Sequence, residues 1–183
     1  MATPIPVKLA WFGPQGAGKS TSAALLSLAL SKEIYGGAPV WVTDTEPGWQ
    51  FLRPMFACEG VELVQRTVPT FKDMVADLRE AEREGACVWN VDTLTIIWPE
   101  LMQSFKAKLG FIPIDMWGDI RQLWTRDYVA PFMSTKMCCQ ALGRLGNIME
   151  EIQDEEKPAK SKNRRADDDD DDEDEPKSKK KKK

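Results

Sequence analysis

A glycine-rich stretch near the N-terminus combines residue types that bind phosphate. Residues 13–20 read GPQGAGKS and fit the pattern G-x-x-x-x-G-K-[ST] in full. The glycines let the backbone turn tightly and point its N–H groups at phosphate oxygens, while Lys19 can reach the β- and γ-phosphates of a nucleotide. The Ser20 hydroxyl is placed to bind Mg²⁺. The alternative is a glycine-rich turn that binds nothing, which the fixed spacing of these residue types disfavours.

We therefore predict a site for ATP and Mg²⁺ in this stretch, called the P-loop below. Its predicted nucleotide-binding residues are Gly13, Pro14, Gln15, Gly16, Ala17, Gly18, Lys19, Ser20 and Thr21.

A second signal is an acidic residue that ends an apolar stretch, ACVWNVD, at residues 86–92. A P-loop site needs a carboxylate that holds the metal directly or through water, and Asp92 has the right position to supply it. The alternative is that Asp92 caps the helix that follows, as aspartate often does. Given the upstream motif, we favour a metal site formed by Ser20 and Asp92.

Two further acids, Asp44 and Glu46, close the apolar stretch VWVTDTE at residues 40–46. Hydrolysis requires a group that orients water beside the γ-phosphate, and the chain contains no histidine. A carboxylate is then the natural choice, and we predict that Glu46 is catalytic together with Lys19. Asp44 points to the other face if side chains alternate along the strand. The alternative is that both acids cap a turn at EPG.

The elements that must position these residues alternate along the chain. Apolar stretches typical of strands cover residues 7–13, 40–46, 61–65, 86–92 and 137–143. Helical patterns cover residues 20–32, 70–85, 97–109 and 115–134. This alternation predicts an α/β fold with a mainly parallel sheet flanked by helices. Ligands bind at the carboxyl ends of the strands in such sheets, and the predicted acids lie at those ends.

Composition divides the chain in two. The chain has 42% hydrophobic residues, an ordinary value for a globular protein, and we place its folded domain at residues 1–153, because residues 154–183 contain the acidic block DDDDDDEDE followed by KSKKKKK. We predict that 154–183 is a disordered acidic-then-basic tail, in which the lysines could add affinity for phosphate. The four cysteines show neither CxxC spacing nor a small-domain disulfide framework, which favours a reduced intracellular compartment. No apolar run is long enough to cross a membrane.

The order of these motifs resembles the ATPase core of RecA-like recombinases. The resemblance extends over about residues 5–155. It is carried by GPQGAGKST, DTE, GVELVQ and VDTLT, with DMWGDIRQLW and ALGRLGNIMEEIQDE further along. Among members of that class, the chain looks most like the single-strand-annealing or AAA-domain NTP-binding proteins of tailed phages. It departs from them in the less β-branched strand KMCCQALG and in the early start of the charged tail.

The resemblance implies a RecA-like P-loop NTPase fold and specific roles for three residues. Glu46 matches the catalytic glutamate, Asp92 the metal-site aspartate, and Arg144 a possible phosphate sensor after Gly143. The resemblance also implies binding or annealing of single-stranded DNA in phage recombination or replication. It further implies assembly into a homo-oligomeric ring or filament, and a location in the cytoplasm of a bacterial host.

Two other functions stay open at this point. GPQGAGKST also resembles the loop of nucleotide kinases, although Arg79 and Arg83 lie on an amphipathic helix and form no lid-like cluster. A non-hydrolysing, nucleotide-gated binding module is the third possibility.

Two aromatic features carry alternatives of their own. Trp49 could stack on a base or anchor a packed loop, and residues 104–118 could grip single-stranded DNA or form an amphipathic helix end.

Overall fold

In the computed structural model, which describes residues 5–145, five strands form one sheet in which every pairing is parallel. The strands are β1 Lys8–Gly13, β2 Val40–Asp44, β3 Leu63–Thr67, β4 Val88–Asp92 and β5 Cys138–Arg144. Their order across the sheet is β1-β5-β4-β2-β3. The P-loop strand β1 is therefore an edge strand, and β5 separates it from the acid-bearing strand β4.

The helices lie close to their predicted positions. They are α1 Lys19–Glu33, α2 Arg53–Cys58, α3 Phe71–Arg83, α4 Leu94–Leu109, α5 Met116–Trp124 and α6 Ala130–Ser134. A 3-10 turn at Trp49–Leu52 precedes α2, and a π-helical turn at Thr125–Val129 joins α5 to α6. The single helix predicted over 115–134 is thus interrupted by a wider turn.

Helix α3 shows how the sequence determines one of these elements. The Thr70 hydroxyl caps its first turn by accepting a hydrogen bond of 3.1 Å from the backbone N–H of Asp73. Its buried apolar positions recur at helical spacing, as predicted, at Phe71, Met74, Val75, Leu78 and Ala81. Gly85, with a φ of 75°, follows the helix in the left-handed region that favours glycine.

Helices cover both faces of the sheet. One apolar cluster contains Ala23, Ala24 and Leu28 of α1 together with strand residues such as Val42. The other contains the buried faces of α3, α4 and α5 against Trp89. The predicted α/β fold with a mainly parallel sheet flanked by helices is confirmed. The charged tail at 154–183 lies outside the described residues. Within residues 5–145, no helix combines the length and apolarity needed to cross a bilayer.

A buried polar network fixes α1 to the centre of the sheet. The Gln140 side-chain amide donates to Ser27 Oγ at 2.8 Å, and Gln140 Oε1 accepts from the Trp11 indole at 2.7 Å. Ser27 Oγ also lies 3.1 Å from Asn90 Oδ1, and the Asn90 amide donates to the Trp41 carbonyl at 3.2 Å. Because these groups are buried and paired, the network restricts where α1 can sit on β4 and β5.

The register of the sheet brings the strand ends together. Asp44 is paired with Asp92 across β2 and β4, and Gly13 is paired with Arg144 across β1 and β5. All strands run in the same direction, so these residues share the carboxyl edge of the sheet. That edge is where the predicted site residues lie.

Candidate functional site

The P-loop connects the carboxyl end of β1 to the amino end of α1. Gly16 and Gly18 both have a φ of +80°, a backbone conformation that residues with a Cβ atom rarely adopt. Gly18 forms the N-cap of α1, and no side chain caps that helix end. The free N–H groups and positive dipole of the first turn are therefore available to an anion.

Lys19 is folded back onto its own loop. Its ammonium donates to the carbonyl of Gly13 at 2.9 Å and to the carbonyl of Pro14 at 2.8 Å. These bonds hold the charge beside the loop, where phosphate oxygens would compete with the two carbonyls for the same donor.

Ser20 and Asp92 meet although they are 72 residues apart in sequence. The Ser20 hydroxyl donates to Asp92 Oδ2 at 2.5 Å. A hydroxyl and a carboxylate side by side, with room for phosphate oxygens and water, are oxygen donors of the kind that Mg²⁺ prefers. The described residues contain no cluster of three acidic or cysteine ligands, and an ion held by Ser20 and Asp92 would take its other ligands from phosphate and water.

The helix cap after β4 is not Asp92. The Thr93 side chain caps α4 by accepting from the backbone N–H of Thr95, and the Thr93 hydroxyl donates to the Leu142 carbonyl at 2.9 Å. The Asp92–Thr93 peptide bond is cis. Because Thr93 caps the helix, the capping alternative for Asp92 is wrong, and the Asp92 carboxylate is available for other contacts at the cavity.

Asp44 organises the turn that follows β2. It is 1% exposed, and its two oxygens accept from the backbone N–H groups of Glu46 at 3.1 Å and Trp49 at 3.2 Å. The Gln65 amide adds a third bond at 2.8 Å. Burial is the largest influence on this carboxyl and raises the pKa of Asp44, against the lowering effect of the two N–H groups. The turn-capping alternative thus holds for Asp44.

Glu46 is held differently, because its side chain lies in the cavity. Its carboxylate forms an ion pair with the Arg144 guanidinium, and the two side chains are 48% and 32% exposed. The backbone N–H of Arg144 is fixed by the Thr95 hydroxyl at 2.7 Å. The structure therefore brings the predicted catalytic residue and the predicted sensor into direct contact.

These groups surround one cavity of about 390 Å³. Its lining comprises Gln15, Gly16, Gly18, Lys19, Ser20, Thr21, Glu46, Gly48, Phe51, Leu52, Asp92, Thr93 and Arg144. Three residues predicted to bind nucleotide are not in that lining. Gly13 and Pro14 contact Lys19 through their carbonyls instead, and Ala17 lies next to Gly13 within the loop.

Sequence reasoning missed the role of Trp49. Its side chain is fully buried, which fits the packed-anchor alternative and not stacking on a base. Its indole N–H also donates to Asp92 Oδ2 at 2.9 Å, the oxygen that Ser20 uses. The spacing DTEPGW shows that an aromatic residue follows the acids, but the partner comes from another strand, which local sequence does not reveal.

Comparisons with known proteins do not assign the chain to a family. No protein-family model matches the chain, and no curated protein matches it. Among solved structures, the chain is similar to a KaiC-like protein from the hyperthermophilic archaeon Pyrococcus horikoshii OT3, with 19% identity and a TM-score of 0.49. The match covers 79% of this chain and 63% of that protein, so this chain spans less than two-thirds of its length.

Proposed function

We propose that this chain is an Mg²⁺-dependent ATPase whose nucleotide occupies the cavity between the P-loop and the strand ends. One observation carries the proposal. A single cavity holds the Lys19 ammonium, the hydrogen-bonded Ser20–Asp92 pair and the Glu46 carboxylate. These are the groups that phosphoryl transfer to water requires, namely a phosphate cation, a metal site and a water-orienting base.

The proposed steps assign one task to each group. Lys19 exchanges its two carbonyl partners for phosphate oxygens, and the N–H groups of the loop bind the remaining charge. Mg²⁺, when bound, neutralises charge on the β- and γ-phosphates. Glu46 accepts a proton as the water oxygen attacks the γ-phosphorus and the bond to the β-phosphate oxygen breaks, which releases ADP and phosphate.

Arg144 links nucleotide binding to that step. Before nucleotide binds, the guanidinium pairs with the Glu46 carboxylate and so occupies the group that would orient water. A triphosphate offers Arg144 a stronger partner, because phosphate oxygens carry more charge than one carboxylate. In this proposal, Arg144 moves to the phosphate and Glu46 becomes free to orient water.

We further propose that ATP hydrolysis is coupled to binding or annealing of single-stranded DNA by a homo-oligomer. Exposed aromatic and basic side chains after the middle of α4 support this proposal. Phe111 is 68% and Trp117 is 41% exposed, and Lys106 and Lys108 lie in the last turn of α4. Aromatic faces among cations suit a flexible polynucleotide. The resemblance to phage recombination proteins supplies the expectation of assembly.

The test compares wild type with Glu46→Gln, which keeps the size of the side chain but removes its basicity. We expect ATP to bind at least as tightly as in wild type, while hydrolysis, measured as phosphate release with and without single-stranded DNA, falls by roughly 100-fold or more. Glu59→Gln is the matched control, because Glu59 is also an exposed glutamate in an ion pair, with Lys32, and lies outside the cavity. Unchanged hydrolysis in Glu46→Gln would remove Glu46 from the mechanism.

Two rival functions give different results in the same assays. A nucleotide kinase would transfer phosphate to a nucleoside monophosphate and ignore DNA. Arg79 and Arg83 lie on α3, and neither lines the cavity, so they supply no arginine lid there. A nucleotide-gated binding module would bind ATP without turnover under either condition.

A further inference from the structure

Trp49 occupies a position that packing alone does not explain. It is 0% exposed, in an apolar cluster that also contains Val42, Phe56 and Leu142. Any large apolar side chain could contribute to such a cluster. An indole, however, carries one N–H group that must find an acceptor when buried. Here the acceptor is the carboxylate that we assign to the metal site.

The two donors to Asp92 use the same oxygen. Trp49 Nε1 lies 2.9 Å and Ser20 Oγ lies 2.5 Å from Oδ2. Among residues 5–145, no backbone or side-chain donor reaches the Oδ1 atom of Asp92. Two donors converging on one oxygen fix the orientation of the carboxylate and leave the other oxygen available to a metal-bound water.

Trp49 also holds the turn that carries Glu46. Its backbone N–H donates to Asp44 Oδ2 at 3.2 Å, and the N–H of Glu46 donates to Asp44 Oδ1 at 3.1 Å. The turn between β2 and the 3-10 helix is therefore attached to the Asp44 carboxylate by two backbone N–H groups and to the Asp92 carboxylate by the indole. Glu46 itself provides the first of those N–H groups.

We infer that Trp49 is a positioning residue that orients the metal carboxylate Asp92 and couples metal binding to the Glu46 turn. The inference rests on the proposed function, because it requires Mg²⁺ to accompany a nucleotide in this cavity. It predicts that removal of the indole N–H weakens Mg²⁺ binding selectively. Binding of nucleotide without metal depends on the P-loop, which Trp49 does not contact through any hydrogen bond in the described residues.

The test is Trp49→Phe, which keeps an aromatic ring in the cluster and removes the N–H group. Calorimetry with a non-hydrolysable ATP analogue would measure two quantities. One is the affinity for the analogue in EDTA, and the other is the Mg²⁺ concentration at which the effect of Mg²⁺ on that affinity reaches half of its full size, called the half-effect concentration. Loss of a hydrogen bond to a metal carboxylate typically costs roughly 10- to 100-fold in metal affinity. We expect the half-effect concentration to rise by that factor, while analogue affinity in EDTA changes by less than about threefold.

Trp41→Phe is the matched control. Trp41 is 3% exposed, and its indole donates to another buried carboxylate, Asp77, at 2.9 Å. A general loss of stability would affect both variants, whereas the metal effect should appear in Trp49→Phe alone. An unchanged Mg²⁺ dependence in Trp49→Phe, or an equal change in both variants, would overturn the inference.

A second measurement keeps Trp49 in place and covers the case in which Trp49→Phe does not fold. The chain has seven tryptophans, and ¹⁵N labelling of their indoles gives each N–H its own NMR signal. The Trp49 signal should move in Ser20→Ala, because Ser20 shares its acceptor oxygen. The same signal should move when Mg²⁺ is added to the analogue complex, and no response from any indole would overturn the inference.

These outcomes are distinguishable from failure of the proposed function. If the wild-type chain binds no ATP analogue, the proposed function fails and the inference falls with it. If the analogue binds and Mg²⁺ strengthens binding equally in wild type and folded Trp49→Phe, the proposed function survives and the inference alone is wrong.

Discussion

The ion pair between Arg144 and Glu46 gives a prediction whose sign tests the proposed mechanism. Arg144→Gln removes the charge and keeps a polar side chain, and the backbone N–H that bonds Thr95 is retained. If Arg144 binds phosphate, the substitution weakens ATP binding. If Arg144 only neutralises Glu46, the substitution leaves the Glu46 carboxylate unpaired in the cavity. Loss of that ion pair is then the only influence of the substitution on ATP binding.

The size of the effect follows from the exposure of the pair. Both side chains are about one-third to one-half exposed, and ion pairs of that kind contribute about 0–1 kcal/mol. Breaking the pair on phosphate binding therefore costs at most about fivefold in Kd. A hydrogen bond to a charged group contributes about 1.5–3 kcal/mol, or roughly 10- to 150-fold. The phosphate contact outweighs the ion pair, so we expect ATP to bind between about 2- and 150-fold more weakly.

A double-mutant cycle with Glu46→Gln separates the two contributions. Glu46→Gln alone should strengthen ATP binding by up to about fivefold, because Arg144 no longer has to leave a partner. In the Glu46→Gln background, Arg144→Gln should then cost more than in wild type by the same factor. Calorimetric titration of all four proteins with a non-hydrolysable analogue gives the cycle directly.

The control and the contradicting result are specific. Arg126→Gln removes an arginine that is also ion-paired, with Asp127, but lies outside the cavity, so its analogue affinity should match wild type. If Arg144→Gln binds the analogue as tightly as wild type, or more tightly, Arg144 is not a phosphate sensor. An additive cycle would show that the ion pair has no part in nucleotide binding.

Two further predictions concern stability. Burial raises the pKa of Asp77, which accepts from Trp41 and Thr43, so the folded protein should lose stability as the pH rises above the ordinary value of 3.8. Asp77→Asn should flatten that part of a urea-unfolding profile, and an unchanged slope would contradict this. Gly18→Ala meets no atom within 4 Å, yet its φ of +80° should cost about 1–2 kcal/mol in the same assay. Gly118→Ala, within a helix, should be neutral or stabilising.

The elements of the fold could be predicted because each has a local signal. Alternating apolar stretches gave the five strands, and the helical spacing from Phe71 to Ala81 gave α3. The prediction was less accurate for the end of β2. The strand predicted to run to Glu46 stops at Asp44, because the Asp44 carboxylate captures the N–H groups of Glu46 and Trp49 and turns the chain.

The candidate site was predictable in its parts but not in its contacts. Lys19, Ser20, Glu46 and Asp92 could be chosen because each ends or follows a strand or opens a helix. Contacts such as Trp49 with Asp92, or Glu46 with Arg144, depend on the order of strands across the sheet. That order brings Trp49 beside Asp92, which is 43 positions further along the chain, and Glu46 beside Arg144, which is 98 positions further along. No local sequence pattern encodes the order.

The polar network beneath α1 has a mechanical consequence. A helix that contacts a sheet only through apolar side chains can shift or rotate at little energetic cost. A helix held by directional hydrogen bonds is restricted to one position on the sheet. A shift of α1 by one turn, about 5.4 Å, would strand the buried amides of Asn90 and Gln140 away from Ser27. The position of the P-loop above the sheet is thereby set, and force applied by a nucleotide at the amino end of α1 would be transmitted to the neighbouring strands β4 and β5.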